Sequence, residues 1–243
     1  MSYFIFNGYD SRDLGIIVTK PIIRPTWAPE MEYQSIPGRP RQLPKQKTWY
    51  PNKSLSIEAV LADADPAKVR DVYEKLRDYG VLNISTASNE YLNCYVESLD
   101  PKGVALMMAE FPIVFTVEPF AFSNTSEARS IGNTEISYEY DGTVFCDPQI
   151  VIKPIATTTT IVCNGKTIVV TTPQAIVDAS YLETYSITLD CEGEVAYYTT
   201  PDGVNIACTQ CTAGPFPRID KGDNIISCSS VRSATMTIRK RWY

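Results

Sequence analysis

Two residue pairs in this chain have types and spacings that could carry chemistry. Cys208 and Cys211 have the C-x-x-C spacing found in zinc sites and thiol–disulfide sites. A structural zinc site needs a second such pair or histidines, and a redox site needs a βαβ context; the sequence indicates neither. Glu192 and Glu194 place two carboxylates beside a glycine, a pattern typical of a solvated turn. We therefore predict that neither pair forms a metal site or a catalytic site.

The absence of histidine excludes most common enzyme designs. With no histidine, the chain cannot form a Ser-His-Asp or Cys-His pair, an H-E-x-x-H zinc site or an imidazole acid–base group. The phosphate-binding motifs G-x-x-x-x-G-K-[ST] and G-x-G-x-x-G and the nucleophile elbow G-x-S-x-G do not occur either. We predict that the protein is not an enzyme and that it uses no cofactor or metal.

The composition is that of a globular protein with an acidic balance. Of 243 residues, 44% are hydrophobic and 21% are charged. The 28 acidic residues exceed the 22 basic ones, and this excess disfavours nonspecific binding of nucleic acid. No apolar stretch is long enough to span a membrane and residues 1–10 do not resemble a signal peptide, so we expect no membrane insertion and synthesis in a cytoplasm. The seven cysteines are predicted to be mainly reduced and half-buried.

Strands dominate the predicted secondary structure. The 17 prolines and 12 glycines separate short runs of β-branched and aromatic residues. Residues 54–60 alternate between apolar and polar types, which predicts that Leu55, Ile57 and Ala59 share a buried face. Asn164-Gly165 predicts a tight turn of a hairpin over residues 160–170. Four other segments show the same strand pattern: residues 91–97, 113–118, 186–191 and 235–239.

One segment is predicted to be helical. Asp65 can cap the first turn, Pro66 suits the first helical position, and Gly80 offers a C-terminal stop. Apolar residues recur between them at three- and four-residue spacing, which predicts one buried helix face. These residues are Val69, Val72, Tyr73, Leu76 and Tyr79.

A change of composition over residues 122–133 predicts a domain boundary. A polar stretch interrupts the apolar pattern there before a new strand begins. We expect residues 1–130 to form a first domain with the helix. Residues 131–243 should form a second domain, which shows no obvious helix and holds six of the seven cysteines.

Residues 20–53 are the basic stretch of the chain. Seven lysines and arginines stand there against two glutamates, among seven prolines. Proline cannot donate a ladder hydrogen bond, so the segment is expected to be an arm, a long loop or an edge ribbon that reaches another surface. A solvated surface loop is the alternative. The residues predicted to contact another subunit are Arg39, Arg41, Lys45 and Lys47.

Several motifs at both ends of the chain occur in the same order in a known family. Residues 4–16 (FIFNGYDSRDLGI), residues 36–39 (IPGR) and the alternating strand at Leu55 resemble the N-terminal domain of siphophage distal tail proteins. Residues 215–224 (PFPRIDKGDN) and 239–243 (RKRWY) are similar to the end of the C-terminal domain of that family.

The resemblance implies a mainly β fold. The N-terminal part would be a tail-tube-like β-sandwich or barrel with one α-helix, and the C-terminal part a β-sandwich similar to galectins and carbohydrate-binding modules. It further implies a structural virion protein at the phage tail tip, made in the bacterial host cytoplasm.

The resemblance also implies a set of partners. Six copies would form a ring that joins the tail tube to the tail-associated protein, such as a fibre, lysin or needle protein. The outer domain would hold receptor-binding or other baseplate proteins, and DNA would pass through the lumen, whose wall we expect to be neutral or acidic.

Two other functions stay open from the residues alone. The second domain could be a carbohydrate-binding module for host adsorption, in which Tyr197, Tyr198 and Trp242 stack on sugar rings. Adjacent strand residues point to opposite faces, so only one of Tyr197 and Tyr198 could line such a platform. A nucleic-acid contact through residues 39–41 with the nearby aromatic residues 49–50 is disfavoured by the overall charge.

Overall fold

The computed structural model describes residues 2–26, 31–35, 37, 40–46, 50–99, 101–105, 108–178 and 184–243. The chain divides into two compact units, Met1–Asn124 with Tyr243, and Thr125–Trp242. The roles expected for residues 1–130 and 131–243 remain predictions, because this division concerns compactness alone.

The first unit consists of β-strands and one helix in the part of the chain that is described. Its helix is α1 (Pro66–Leu76). Its strands are β1 (Phe4–Phe6), β2 (Tyr9–Asp10), β3 (Ile16–Val18), β4 (Met31–Gln34), β5 (Leu43–Gln46), β6 (Lys53–Ile57), β7 (Ala59–Ala62), β8 (Tyr79–Ile84), β9 (Glu90–Leu99), β10 (Lys102–Ala105), β11 (Met108–Glu110) and β12 (Ile113–Ser123).

Two antiparallel sheets and a separate ribbon make up this unit. The larger sheet has the order β2-β1-β8-β9-β12-β6, and the smaller one has the order β10-β11-β7-β3. Alternating side chains from both sheets and one face of α1 meet in a single apolar core, in which Phe4, Phe6, Leu61, Leu76 and Phe115 are fully buried. Strands β4 and β5 pair only with each other among the described strands.

The strand predicted over residues 54–60 is divided between the two sheets. Leu55, Ile57 and Ala59 are all buried, as the alternation predicts. The strand is nevertheless interrupted at Glu58: β6 pairs with β12 in the larger sheet, whereas β7 pairs with β3 and β11 in the smaller one. Because alternation continues through the bend, the sequence pattern does not reveal this change of sheet.

Helix α1 begins where the sequence predicts. The Asp65 carboxylate accepts hydrogen bonds from the backbone N–H groups of Ala67 and Lys68, both at 2.8 Å, and Pro66 occupies the first turn. Val72 and Leu76 are fully buried, which confirms the apolar face over those residues.

The predicted end of the helix is wrong. The helix ends at Leu76, and Tyr79 and Gly80 belong to strand β8, where Tyr79 is 60% exposed. The cause is a long-range contact: β8 pairs with β1 and β9, and a side chain on Gly80 would collide with Asn7. Gly80 therefore serves a close approach between strands rather than a helix cap.

The second unit is a two-sheet sandwich in its described part. Its helices are α2 (Gln174–Asp178) and the 3₁₀ turn Thr209–Cys211. Its strands are β13 (Glu127–Ile131), β14 (Ile136–Tyr140), β15 (Gln149–Pro154), β16 (Thr158–Cys163), β17 (Lys166–Thr171), β18 (Ser186–Asp190), β19 (Val195–Thr199), β20 (Asn205–Ala207), β21 (Thr212–Ala213), β22 (Gly222–Ser229), β23 (Val231–Ile238) and β24 (Arg241–Trp242).

The two sheets of the sandwich enclose a second core. One sheet has the order β13-β23-β15-β18-β19-β20 and the other β14-β22-β16-β17-β21. Their inner faces bury Ile150, Ile161, Leu189 and Met236 completely. The predicted hairpin is present: Asn164 and Gly165 have φ values of 50° and 75° between β16 and β17, as a type I′ turn requires.

Helix α2 was not expected from the sequence. It is five residues long, follows Pro173, and places Ile176 at full burial in the second core. A single helical turn with one apolar anchor is too short to show a helical period, so the sequence pattern carries no signal for it.

Candidate functional site

The β4–β5 ribbon, consisting of Met31–Gln34 and Leu43–Gln46, contains part of the predicted contact arm. Lys45 lies on β5 and Arg41 just before it, and both are exposed. Arg39 and Lys47 lie outside the described residues. The described part of this proline-rich segment is extended as expected, but β4 and β5 pair in a ladder of their own, which the prolines were expected to disfavour; its contact with another surface stays a prediction.

The register of the ribbon gives it two different faces. Tyr33 lies opposite Pro44 and two residues from Met31, so these three share one face. Glu32 lies directly opposite Lys45 on the other face, where opposite charges favour the pairing. Tyr33 is 63% exposed and Met31 is 44% exposed. Met31 and Tyr33 thus give the described part of the ribbon an exposed apolar face.

The outward face of strands β8, β9, β12 and β6 is a second exposed surface, which we call the anionic face. The Tyr79 hydroxyl donates to Glu118 Oε1 at 2.8 Å, and Asn93 Nδ2 donates to Glu118 Oε2 at 3.0 Å. The Thr116 hydroxyl donates to Glu97 Oε2 at 2.9 Å. No lysine or arginine stands at the described outward positions of these four strands. The face therefore offers carboxylates and hydroxyls but no cation for a nucleic-acid backbone.

The N-terminal motif builds the corner where β1 meets β8. The Val81 N–H donates to Asn7 Oδ1 at 2.9 Å, and the Asn7 N–H donates to the Val81 carbonyl at 3.0 Å. Ser11 is fully buried, and its hydroxyl accepts a hydrogen bond from the Phe4 N–H at 3.2 Å. These motif residues hold backbone segments together, which is a structural role.

Asn224 of the second motif closes the loop over residues 220–224. The side chain is fully buried; its Oδ1 accepts from the Asp220 N–H at 2.9 Å, and its Nδ2 donates to the carbonyls of Asp220 and Gly222, both at 2.8 Å. The Asn164 Nδ2 donates to the same Oδ1 at 2.7 Å, which ties the loop to the β16–β17 turn. An amide offers both acceptor and donor, so no other short side chain satisfies all these groups.

The two C-terminal motifs meet in an ion network. Asp147 accepts from Arg218 Nε at 3.1 Å and from Arg241 Nη1 at 3.0 Å. Arg241 is 5% exposed, and its Nη2 also contacts Glu192 Oε1 at 2.9 Å. Glu192 thus serves as the partner of a buried cation.

A second ion network lies close to the first in sequence. Lys240 Nζ contacts Glu127 Oε1 at 2.8 Å and Asp141 Oδ1 at 2.9 Å. The hydrogen bond from Lys240 lowers the pKa of Glu127, and the two carboxylates together raise the pKa of Lys240. These contacts join the start of β13 to the end of β14, so the basic C-terminal motif is engaged within the second unit.

Tyr197 and Tyr198, two of the residues predicted to stack on sugars, lie on opposite sides of their sheet. Tyr198 lies opposite Ile187, packs against the second core and meets the Tyr185 ring at a centroid distance of 6.1 Å. Tyr197 points to the other side of the sheet, and Trp242 is half-buried. Sugar binding by Tyr197, Tyr198 and Trp242 stays a prediction, and only one of the two tyrosines can belong to any one stacking surface.

The thiols have the surroundings of packed core groups. All seven cysteines are free, and six of them are buried; Cys211 is half-buried. Burial raises the pKa of Cys94 and of Cys228 to about 12, and that of Cys208 to about 11. Such thiols are poor nucleophiles at neutral pH. Among the described residues, no group of histidine, cysteine or acidic side chains is placed to hold a metal ion.

Sequence reasoning missed the apolar face of the ribbon and the Glu118 network. A signal for the first existed, because Met31 and Tyr33 are two residues apart in an extended segment. The second depends on which strands are neighbours: Tyr79 reaches Glu118 from a strand two positions away in the sheet.

In the described part of the chain, no helix is both long and apolar enough to cross a bilayer.

No protein-family model matches this chain, and no curated protein matches it by sequence. Among solved structures it is similar to the crystal structure of SPP1 Dit, described as a paradigm of the hub adsorption apparatus in phages that infect Gram-positive bacteria. The TM-score is 0.77 at 12% identity, and the match covers 100% of each chain. At this identity the likeness is one of fold. The mainly β fold expected from the resemblance to siphophage distal tail proteins is thereby confirmed.

Proposed function

We propose that this protein is a distal tail protein, a structural component of a phage tail tip whose copies assemble into a hexameric ring. The observation that carries this proposal is the fold similarity to SPP1 Dit over the full length of both chains. Five of the six cysteines of the second unit are packed as buried core groups, which suits a structural role.

The β4–β5 ribbon is the contact between neighbouring copies in this proposal. A cyclic ring needs two different complementary patches on each subunit. The ribbon supplies one of them, with Arg41 and Lys45 as cations and with Met31 and Tyr33 as an apolar face. The neighbour supplies an acidic and apolar surface, and the overall negative charge of the chain makes acidic surface abundant.

The anionic face of the first unit faces the lumen of the ring. Its carboxylates, Glu97 and Glu118, and its hydroxyls offer no cation to bind the DNA backbone. A wall of this kind lets DNA pass without counterion-release affinity, which lysines or arginines would create.

The ring sits at the tail tip of the virion and is made in the host cytoplasm. One side of it joins the tail-tube protein, and the other joins the tail-associated fibre, lysin or needle protein. The second unit holds receptor-binding or other baseplate proteins. DNA is a passenger in the lumen, and no membrane insertion is required.

Charge reversal on the ribbon tests the subunit contact. We expect Arg41→Glu with Lys45→Glu to lower the assembled fraction seen by light scattering, because like charges then face each other across the contact. High salt should restore part of the assembly, since the charges are exposed.

The matched control reverses two exposed lysines of the second unit, Lys166→Glu with Lys221→Glu, and should assemble as the wild type does. Tyr33→Ser should weaken assembly at every salt concentration, because the lost contact is apolar. If the ribbon variants and the control assemble equally well, the ribbon is not the subunit contact.

A further inference from the structure

The outward face of the sheet β14-β22-β16-β17-β21 has an unusual composition. Its rows on β16, β17 and β22 carry hydroxyl and β-branched side chains, whereas exposed sheet faces usually carry charges. The outward residues of those three rows are Thr158, Thr160, Val162, Thr167, Val169, Thr171, Ile225, Ser227 and Ser229, with the one carboxylate of Asp223 at the end of the β22 row.

The centre of this hydroxyl face is apolar. Val162 and Val169 lie half-buried on neighbouring strands at this centre, and Ile225, which is 53% exposed, lies beside the β16–β17 turn at one end of the face. A surface that lacks charges at its centre and has polar groups around it matches the core-and-rim pattern of protein–protein interfaces.

A depression of about 490 Å³ lies at one end of the hydroxyl face. Val162 and Ile225 contribute apolar lining, and the carboxylates of Glu135, Asp220 and Asp223 also line it. None of these three exposed carboxylates forms an ion pair within the described part of the chain, in contrast to Asp147 and Glu127 elsewhere in the unit. No lysine or arginine lines the depression.

We infer that the hydroxyl face docks a protein segment that presents an arginine or lysine side chain to this depression. The aliphatic stem of such a side chain covers Val162 and Ile225, and its charged head meets the carboxylates of Asp220 and Asp223. Thr and Ser hydroxyls on the adjacent rows can donate to or accept from the backbone of the segment.

The chemistry of the face disfavours other ligands. A sugar ring needs an aromatic platform, and none of the outward positions on β16, β17 and β22 is aromatic. A nucleic acid is repelled by the three carboxylates. The described residues include no cluster arranged to hold a metal ion. A basic protein segment fits both the charge and the apolar lining.

The inference extends the proposed function by giving the second unit a defined docking face for a neighbouring tail component. It does not depend on ring formation, because the face lies within the second unit. A protein that binds the basic segment but forms no ring would contradict the proposed function alone, and a ring that fails to bind the segment would contradict this inference alone.

The test measures binding of a fluorescein-labelled peptide, Thr-Val-Arg-Val-Thr, to the full-length protein by fluorescence anisotropy. The probe Thr-Val-Gln-Val-Thr removes the charge and keeps the length. We expect the arginine peptide to bind more tightly, and Asp220→Asn with Asp223→Asn to weaken its binding about fivefold, as two exposed ion pairs would. Ile225→Lys should also weaken binding of the arginine peptide, because it places a positive charge on the face that repels the positive charge of the peptide.

A control variant removes two charges elsewhere on the second unit. Asp202→Asn with Glu194→Gln, both exposed, should leave binding of the arginine peptide unchanged. Absence of binding, equal binding of the glutamine peptide, or equal loss in the two double variants would overturn the inference. So would a fall in the assembled mass of Asp220→Asn with Asp223→Asn, which would make the face a contact between copies.

Discussion

Asn224→Ala is expected to be among the most destabilising single substitutions in the second unit, although the loop that it stabilises lies near the surface. The Asn224 side chain is fully buried. Its Oδ1 accepts from the Asp220 N–H and from the Asn164 side chain, and its Nδ2 donates to the carbonyls of Asp220 and Gly222. Alanine removes all of these bonds and leaves the backbone groups of the loop without their partner. The turn that carries the resemblance to distal tail proteins then loses its closure.

The size of the effect follows from these contacts. The Asp220 N–H and the carbonyls of Asp220 and Gly222 each lose a part-buried hydrogen bond worth about 1 kcal/mol. The emptied side-chain volume adds about 1 kcal/mol. We expect the free energy of unfolding to fall by about 4 kcal/mol in total. Asn224→Asp should lose at least as much, because it keeps one acceptor but removes the donors and buries a charge.

The assay is pulse proteolysis in urea with fragments assigned by mass spectrometry, so that each unit is followed separately. Asn205→Ala is the matched control: Asn205 is exposed and accepts one hydrogen bond, from the Thr199 hydroxyl at 2.8 Å. Its cost should be about 0.5 kcal/mol. A loss of less than about 1 kcal/mol for Asn224→Ala relative to this control would refute the argument from hydrogen bonds.

Three further outcomes are expected. The pKa of Glu127 is lowered by Lys240, so the stability that this ion pair adds is present above the ordinary glutamate pKa and is lost as pH falls through the folded value. The difference in unfolding free energy between wild type and Glu127→Gln should be up to about 1 kcal/mol at pH 7 and should vanish in acid. A difference that does not change with pH would contradict this. Maleimide should label the native protein at Cys211 alone and the denatured protein at all seven thiols, since the other six are buried; rapid native labelling elsewhere would show a looser core. Gly80→Ala should lower the midpoint of thermal unfolding of the first unit by displacing Asn7 from its bond to Val81, whereas Gly132→Ala in the second unit, where a side chain meets open space, should change the midpoint of that unit little.

The features predicted correctly from the sequence are those with local causes. Asp65 and Pro66 fix the start of α1 because a cap and a fixed φ act within one turn. Asn164 and Gly165 fix the β16–β17 hairpin because both favour positive φ. The predicted end of α1 was wrong because Gly80 is needed for the close approach of Asn7, which lies more than seventy residues earlier. No local sequence pattern indicates that contact.

The candidate site shows the same division between local and long-range causes. The charge of the ribbon could be read from the composition of residues 20–53. Its apolar face could be predicted only in part: Met31 and Tyr33 are two residues apart, but the register that places Tyr33 opposite Pro44 depends on how the two strands pair. The hydroxyl face and its carboxylates required the order of five strands, which brings Asp220 and Asp223 beside Val162.

The central claim is that copies of this chain close into a ring. The most direct test is the light-scattering mass of the purified protein, measured with and without the tail-tube protein. Electron micrographs of the assembled fraction complete the test. The account predicts closed particles with sixfold symmetry and six times the mass of one chain. A monomer at every concentration that stays monomeric after the tail-tube protein is added would contradict it.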